Sequence, residues 1–196
     1  VRPLAVRVAR ALSGYRAMTK LGYLKSANNP IARGVADALR AAFYVELTGE
    51  ERSLVDQIEA LRRRLNSTSE TVRIVDFGAG DAKLERSAEG MRHGMSSQCS
   101  VSSACRASKR QFWALFLFHL VRHFQPKSCV ELGSCVGISA AYQAAALRLN
   151  GRGSLITLEG APALAEIAQK NLQELGLDRA RVINGRFEDE LPRVLA

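Results

Sequence analysis

The sequence predicts an α/β protein, with a parallel sheet in its last part and a helical extension in front of it. Three observations predict this. From about residue 128 onward, short apolar runs alternate with helical stretches in the order strand, helix, strand, helix, strand, the trace that crossover connections of a parallel sheet leave in a sequence. A glycine-bearing turn, Gly133 to Gly137, joins the first of those strands to its helix. Ahead of them, residues 1–70 show only helical spacing. The chain thus divides into a helical extension (1–70), a short strand with a long Ser/Arg-rich loop (71–108) and the α/β part (109–196).

Leu4, Val8, Leu12, Tyr15 and Met18 recur at spacings of three and four, and Asn28-Asn29-Pro30 ends that helix. A second helix runs from Ile31 to about Leu47. Thr48-Gly49-Glu50-Glu51 is a capping box, in which hydroxyl and carboxylate each accept from the other's amide. It opens a third helix whose buried stripe is Leu54, Ile58, Leu61 and Leu65, ended at Asn66-Ser67-Thr68-Ser69. Val72 to Val75 read as a short strand, followed by Asp76-Phe77-Gly78-Ala79-Gly80. Residues 81–108 are polar and aperiodic and read as one long loop. Lys109 to Phe124 is an apolar helix, stopped by Gln125-Pro126-Lys127. The α/β part then unfolds as a buried strand (Cys129 to Leu132), a helix (Ile138 to Leu149), a strand (Leu155 to Leu158), a helix between Pro162 and Gly176, and a strand (Arg181 to Asn184).

Composition excludes several classes. No apolar run approaches the roughly 20 residues that span a bilayer, and the Arg-studded opening is not a signal peptide; Val1 reads as a processed or trimmed start. Cys99, Cys105, Cys129 and Cys135 form no C-x-x-C pair, and only three histidines are present, so neither zinc nor a disulfide framework is expected. A reducing, cytoplasmic setting follows. The net charge of +9 is unevenly placed: residues 1–36 hold seven Lys or Arg and no acid. A solvated basic helix is the plainer account of that arm; an acidic partner or anionic lipid is the other, and nucleic acid is disfavoured because no aromatic-interleaved basic stripe accompanies it.

The chemistry concentrates in Glu131-Leu132-Gly133-Ser134-Cys135-Val136-Gly137-Ile138-Ser139. A carboxylate ends a strand, two glycines stand four apart, and a helix opens at once. Glycine lets backbone approach a ligand, and a helix N-terminus offers amides to an anionic group. Ligands of open α/β sheets bind at this end of the strands. The spacing is not G-x-G-x-x-G, so a nicotinamide dinucleotide fits poorly. Glu159 ends the second strand, where an acid can accept both hydroxyls of a ribose. Asp76-Phe77-Gly78-Ala79-Gly80 reads as structural or substrate-side, because no second strand with a terminal acid follows it. His119 and His123, four apart on an apolar helix, read as structural rather than as metal ligands.

Residues 109–196 resemble the N-terminal half of class I S-adenosylmethionine-dependent methyltransferases, closest to the catechol O-methyltransferase-like group. The resemblance rests on Val130-Glu131-Leu132-Gly133 through Gly137 and Ser139, on Leu158-Glu159, and on Gly185-Arg186-Phe187-Glu188-Asp189-Glu190-Leu191-Pro192. Upstream, Asp76 to Gly80 is similar to a bacterial subgroup with a helical N-terminal extension. The resemblance implies a Rossmann-like methyltransferase sheet, of which this chain holds the N-terminal half, and S-adenosylmethionine as cofactor. It places Glu131, Gly133, Ser134, Gly137 and Ser139 at the methionine end of that cofactor, Glu159 with Gly160 at its ribose, and Phe187 with Glu188 along its adenine. Arg186 departs from the small or acidic residue usual there.

The implied reaction is methyl transfer to an oxygen of a small molecule. The alternative is a non-catalytic module that uses its basic arm to hold an acidic partner. By resemblance, the general base and any divalent-metal ligands lie beyond Ala196, so no catalytic residue is assigned. The first strand would then be an exposed apolar edge, and a homo-oligomer sealing it, or poor solubility, is expected.

Overall fold

The computed structural model of the chain describes residue 26 and residues 28–76 and 93–196. The helix read over Leu4 to Met18, and with it most of the basic arm, lies outside the described residues, as does Phe77 to Gly80. Two helices lead: α1 (Pro30–Tyr44) and α2 (Gly49–Ser67). The strand β1 (Thr71–Asp76), then β2 (Met95–Ser100), α3 (Val101–Ala107) and α4 (Gln111–Phe124) follow. The α/β part is β3 (Ser128–Leu132), α5 (Ile138–Asn150), β4 (Ser154–Glu159), α6 (Pro162–Glu174), β5 (Ala180–Asn184) and α7 (Phe187–Leu195).

Local chemistry explains where the first helices start. The Asn29 side chain accepts from the amides of Ile31 and Ala32, with Pro30 in the first turn, where its missing N–H costs nothing. At α2 the Thr48 hydroxyl accepts from the Glu51 amide and the Glu51 carboxylate accepts from the Thr48 amide. Glu51 also receives Arg122 Nε of α4 at 2.9 Å, so the cap ties two helices together. Burial alone would push the Glu51 carboxyl up, but the Thr48 amide and the Arg122 guanidinium outweigh it and hold it below the ordinary 4.5.

A carboxyl depressed on folding contributes stability above its unfolded pKa and loses it as pH falls through the folded one. Glu51→Gln is therefore expected to cost about 1.5–3 kcal/mol near neutral pH, the range for a hydrogen bond to a charged group. Urea melts of both proteins should show the gap narrowing as pH falls below 4.5. A gap that is constant with pH would remove the Glu51 charge from the account.

The strands β3, β4 and β5 form a parallel sheet in that order, with Glu131 opposite Thr157 and Glu159 opposite Asn184. Helix α5 is alanine-rich and buried on all sides, from Ile138 through Leu147, as a helix must be when it is apolar around its whole circumference. It packs against α2 and α4 of the preceding part as well as against β4. The Tyr142 hydroxyl donates to Glu59 of α2 at 2.7 Å, inside this contact. One core of buried side chains accordingly runs from Ala42 to Ala180.

Two expectations are corrected. The long loop read over 81–108 contains, in its described part, the strand β2 and the helix α3. β2 pairs antiparallel with β1, Thr71 opposite Ser100 and Asp76 opposite Met95. Its sequence is Met-Ser-Ser-Gln-Cys-Ser and most of its side chains are exposed, so backbone pairing rather than a buried face makes it a strand. Nor is β3 fully buried: its residues alternate between exposed and half-buried, with Val130 37% and Leu132 51% exposed. It is one edge of the three-stranded sheet among the described residues, and β5 is the other.

Candidate functional site

Beyond Leu132 the chain turns through three left-handed residues, Gly133 (φ +86°), Cys135 (φ +51°) and Gly137 (φ +85°). The turn is fastened to the end of β4. The Gly133 and Ser134 amides both donate to the Leu158 carbonyl, at 2.8 and 3.2 Å. The Cys135 amide donates to Glu159 Oε2 at 2.8 Å, and Ala161 N to Glu159 Oε1 at 3.0 Å. Gly137 N donates to the Ser134 carbonyl at 2.7 Å, and the buried Asn171 carboxamide of α6 donates to the Val136 carbonyl. The amides of Gly133, Ser134, Cys135 and Gly137 are thus spent inside the protein.

Beside this turn lies a cavity of about 390 Å³. Gly133, Cys135, Glu159 and Gly160 line one side, with Arg186, Phe187 and Glu188 at the end of β5 and the start of α7. Leu164 of α6 and, from the preceding part, Ile74, Val75, Cys99 and Ala104 complete an apolar wall. Glu159 presents a carboxylate whose two oxygens each accept one amide. An ionised carboxyl has about four acceptor positions, so two remain beyond those amides. Arg186 is drawn back onto the acids of α7, pairing with Glu188 and lying 3.9 Å from Asp189.

The expected site residues divide in two. Gly133, Glu159, Gly160, Phe187 and Glu188 come together around the cavity. Glu131, Ser134, Gly137 and Ser139 do not line it. The Glu131 carboxylate turns inward, accepting Thr157 Oγ1 at 2.7 Å and Gln143 Nε2 at 3.0 Å. Burial pushes its pKa up, against hydrogen bonds from Ser139, Thr157 and Gln143 that pull it down. Ser134 is buried. Gly137 is a packing glycine, since a Cβ there would come within 3.2 Å of Ala168 in α6. Gly133 is different: an added Cβ would meet only the Phe187 ring, at 3.9 Å, on the cavity side.

The wall from β1 and β2, and Cys135, escaped the sequence. Ile74 and Val75 were visible as a strand, yet nothing local says that a strand more than fifty residues upstream faces the glycine turn. His119 is buried on α4, and burial lowers its pKa. Among the described residues no group of three or more His, Cys, Asp or Glu is arranged to hold a metal.

Comparison with known proteins bears on residues 130–196, which match a family model described as a methyltransferase domain. A catechol O-methyltransferase of Niastella koreensis is 41% identical over 81 residues, covering 41% of this chain and 36% of that protein. Among solved structures, SAH-bound methyltransferase PaMTH1 of Podospora anserina is similar over 97% of this chain and 54% of its own, at 15% identity and a TM-score of 0.48. An O-methyltransferase of Bacillus cereus in complex with SAH is similar over 84% and 56%, at 18% identity and a TM-score of 0.45. The chain spans about a third of the catechol O-methyltransferase's length and about half of each solved relative's. Residues 130–196, about a third of the chain, are thus similar to a methyltransferase domain.

Proposed function

We propose that the cavity beside the glycine turn binds S-adenosylmethionine, and that the chain serves methyl transfer to an oxygen of a small molecule. One observation carries this reading: the Glu159 carboxylate, steadied by the Cys135 and Ala161 amides, faces the cavity with acceptor capacity to spare. The lining suits such a cofactor. Gly133 and Gly160 leave room for close approach, and Phe187 with Leu164 offers an apolar slot for a flat purine. When bound, the cofactor supplies a methyl group on a sulfonium. The residues of this chain would hold its ribose, exclude water from its adenine and fix where the methyl points. Positioning of that kind accounts for much of the catalysis of a direct displacement.

The acceptor's oxygen, taken from the likeness to a catechol O-methyltransferase, remains part of the proposal. So do the division at residues 70 and 108, a cytoplasmic setting and a homo-oligomer across the β3 edge. No helix among the described residues is long and apolar enough to cross a membrane. Calorimetric titration of the chain with S-adenosylhomocysteine, the reaction's product, tests the reading; saturable binding supports it and its absence removes it.

A further inference from the structure

Helix α4 carries two apolar faces, and the core uses one of them. Ala114, Leu115, Phe118 and Val121 belong to the buried core. Trp113, Leu117, Leu120 and Phe124 recur at spacings of four, three and four. At 3.6 residues per turn that gathers them within about 60° of one another, on the side turned away from Ala114, Leu115 and Phe118. Trp113 is 50% and Phe124 41% exposed, with Leu117 and Leu120 half-buried between them. Edge-to-face contacts with Phe112 and Phe116, 4.9 and 6.1 Å between ring centres, hold the Trp113 indole in place without covering it. Contiguous apolar surface of this kind marks a docking face, where single exposed residues would not. The stripe stands apart from the cofactor cavity, which no residue of α4 lines. We propose that it docks the chain onto an anionic lipid surface, lying on the membrane without crossing it.

Charge decides the partner. Between Glu89 and Glu131 the sequence holds six Lys or Arg and no acid. Lys109 and Arg110 stand exposed just before the Trp113 end of the stripe, and Lys127 just beyond the Phe124 end. Acids of the neighbouring α2 are already taken, Glu51 by Arg122 and Glu59 by Arg62. The sequence repeats the pattern in residues 1–36, where Leu4, Val8, Leu12, Tyr15 and Met18 accompany seven Lys or Arg and no acid. Two cation-rimmed apolar rows repel each other, and so would the α4 helices of two copies. Both rows complement a surface that is anionic outside and apolar beneath. An indole is at home at that boundary, its ring buried and its N–H in reach of headgroups, while Lys and Arg stems extend toward the phosphates. Four side chains bury too little to hold a neutral bilayer, so the attachment depends on charge.

Trp113 is the chain's only tryptophan, so its fluorescence reads the stripe directly. The full chain is titrated with vesicles of phosphatidylcholine alone and of phosphatidylcholine mixed with phosphatidylglycerol, with co-sedimentation measured in parallel. On the anionic vesicles Trp113 emission should shift to the blue, acyl-brominated lipid should quench it, and affinity should fall steeply with added salt. Phosphatidylcholine alone should leave the emission unchanged. The double variant Lys109→Glu, Arg110→Glu should bind anionic vesicles at least about tenfold more weakly, with a melting temperature close to the parent's. Trp113→Ser, followed by co-sedimentation, should also bind more weakly. An emission already blue in the free chain would show the stripe covered by protein, either the N-terminal segment or a second copy, and would overturn the proposal. Equal binding to both kinds of vesicle would overturn it too, as would anionic binding that leaves Trp113 emission unchanged or the double variant at parental affinity.

Discussion

Gly133→Val should abolish cofactor binding while leaving the chain folded. Two effects act together. Gly133 sits at φ +86°, a region that side chains rarely adopt and β-branched ones least of all, so strain of about 1–3 kcal/mol falls on the turn itself. The isopropyl group also projects toward the Phe187 ring, into the space the ligand would fill. Gly133→Ala separates the two. Its Cβ meets nothing closer than 3.9 Å, so it carries the strain and little of the obstruction, and it should weaken binding less than the valine does. By calorimetry with S-adenosylhomocysteine, the valine variant should lose at least about a hundredfold in affinity, equivalent to roughly 2.7 kcal/mol. A circular-dichroism melt close to the parent's separates loss of site from loss of fold. Retained affinity in a folded valine variant would move the ligand away from the turn.

Glu159→Ala is the second large effect. Removing the carboxylate takes away the acceptor for ribose hydroxyls and leaves the Cys135 and Ala161 amides without their partner. A hydrogen bond to a charged group contributes about 1.5–3 kcal/mol, so the loss of even one should weaken binding by roughly ten- to 150-fold. Glu159→Gln keeps one acceptor oxygen and loses the charge, and it should fall between the parent and the alanine variant. Ordinary affinity in a folded Glu159→Ala would show that the acid serves only to brace the turn.

Much of the fold was legible because its signals are local. Thr48 and Glu51 announced α2, and Leu54, Ile58, Leu61 and Leu65 its buried face. Short apolar runs with Gly151 and Gly176 beyond their helices marked the β-α-β order, and the parallel pairing of β3, β4 and β5 followed from it. β2 was hidden because a polar ribbon strand has no buried face to impose a period of two, and α3 because its Val101, Ala104 and Cys105 are embedded among serines. The site was legible where backbone conformation and strand ends define it, at Gly133 and Glu159. It was illegible where register decides. Glu131 pairs across the sheet with Thr157, and that alignment, together with Gln143 one turn into α5, draws its carboxylate inward. No sequence pattern of Glu131 alone distinguishes that from a carboxylate aimed at a ligand. The cavity wall from Ile74, Val75 and Cys99 depends on packing between segments far apart in the chain.

On the proposed reading, this cavity takes the adenosyl cofactor of a methyltransferase rather than a dinucleotide. The spacing Gly133-x-x-x-Gly137 is not that of a dinucleotide turn, and the amides of Gly133, Ser134, Cys135 and Gly137 are already donated within the protein. Titration of the chain with S-adenosylhomocysteine and, separately, with NAD compares the two directly. The account predicts saturable one-site binding of S-adenosylhomocysteine and no measurable heat of binding with NAD. Binding of NAD in preference to S-adenosylhomocysteine, or of neither, would contradict it.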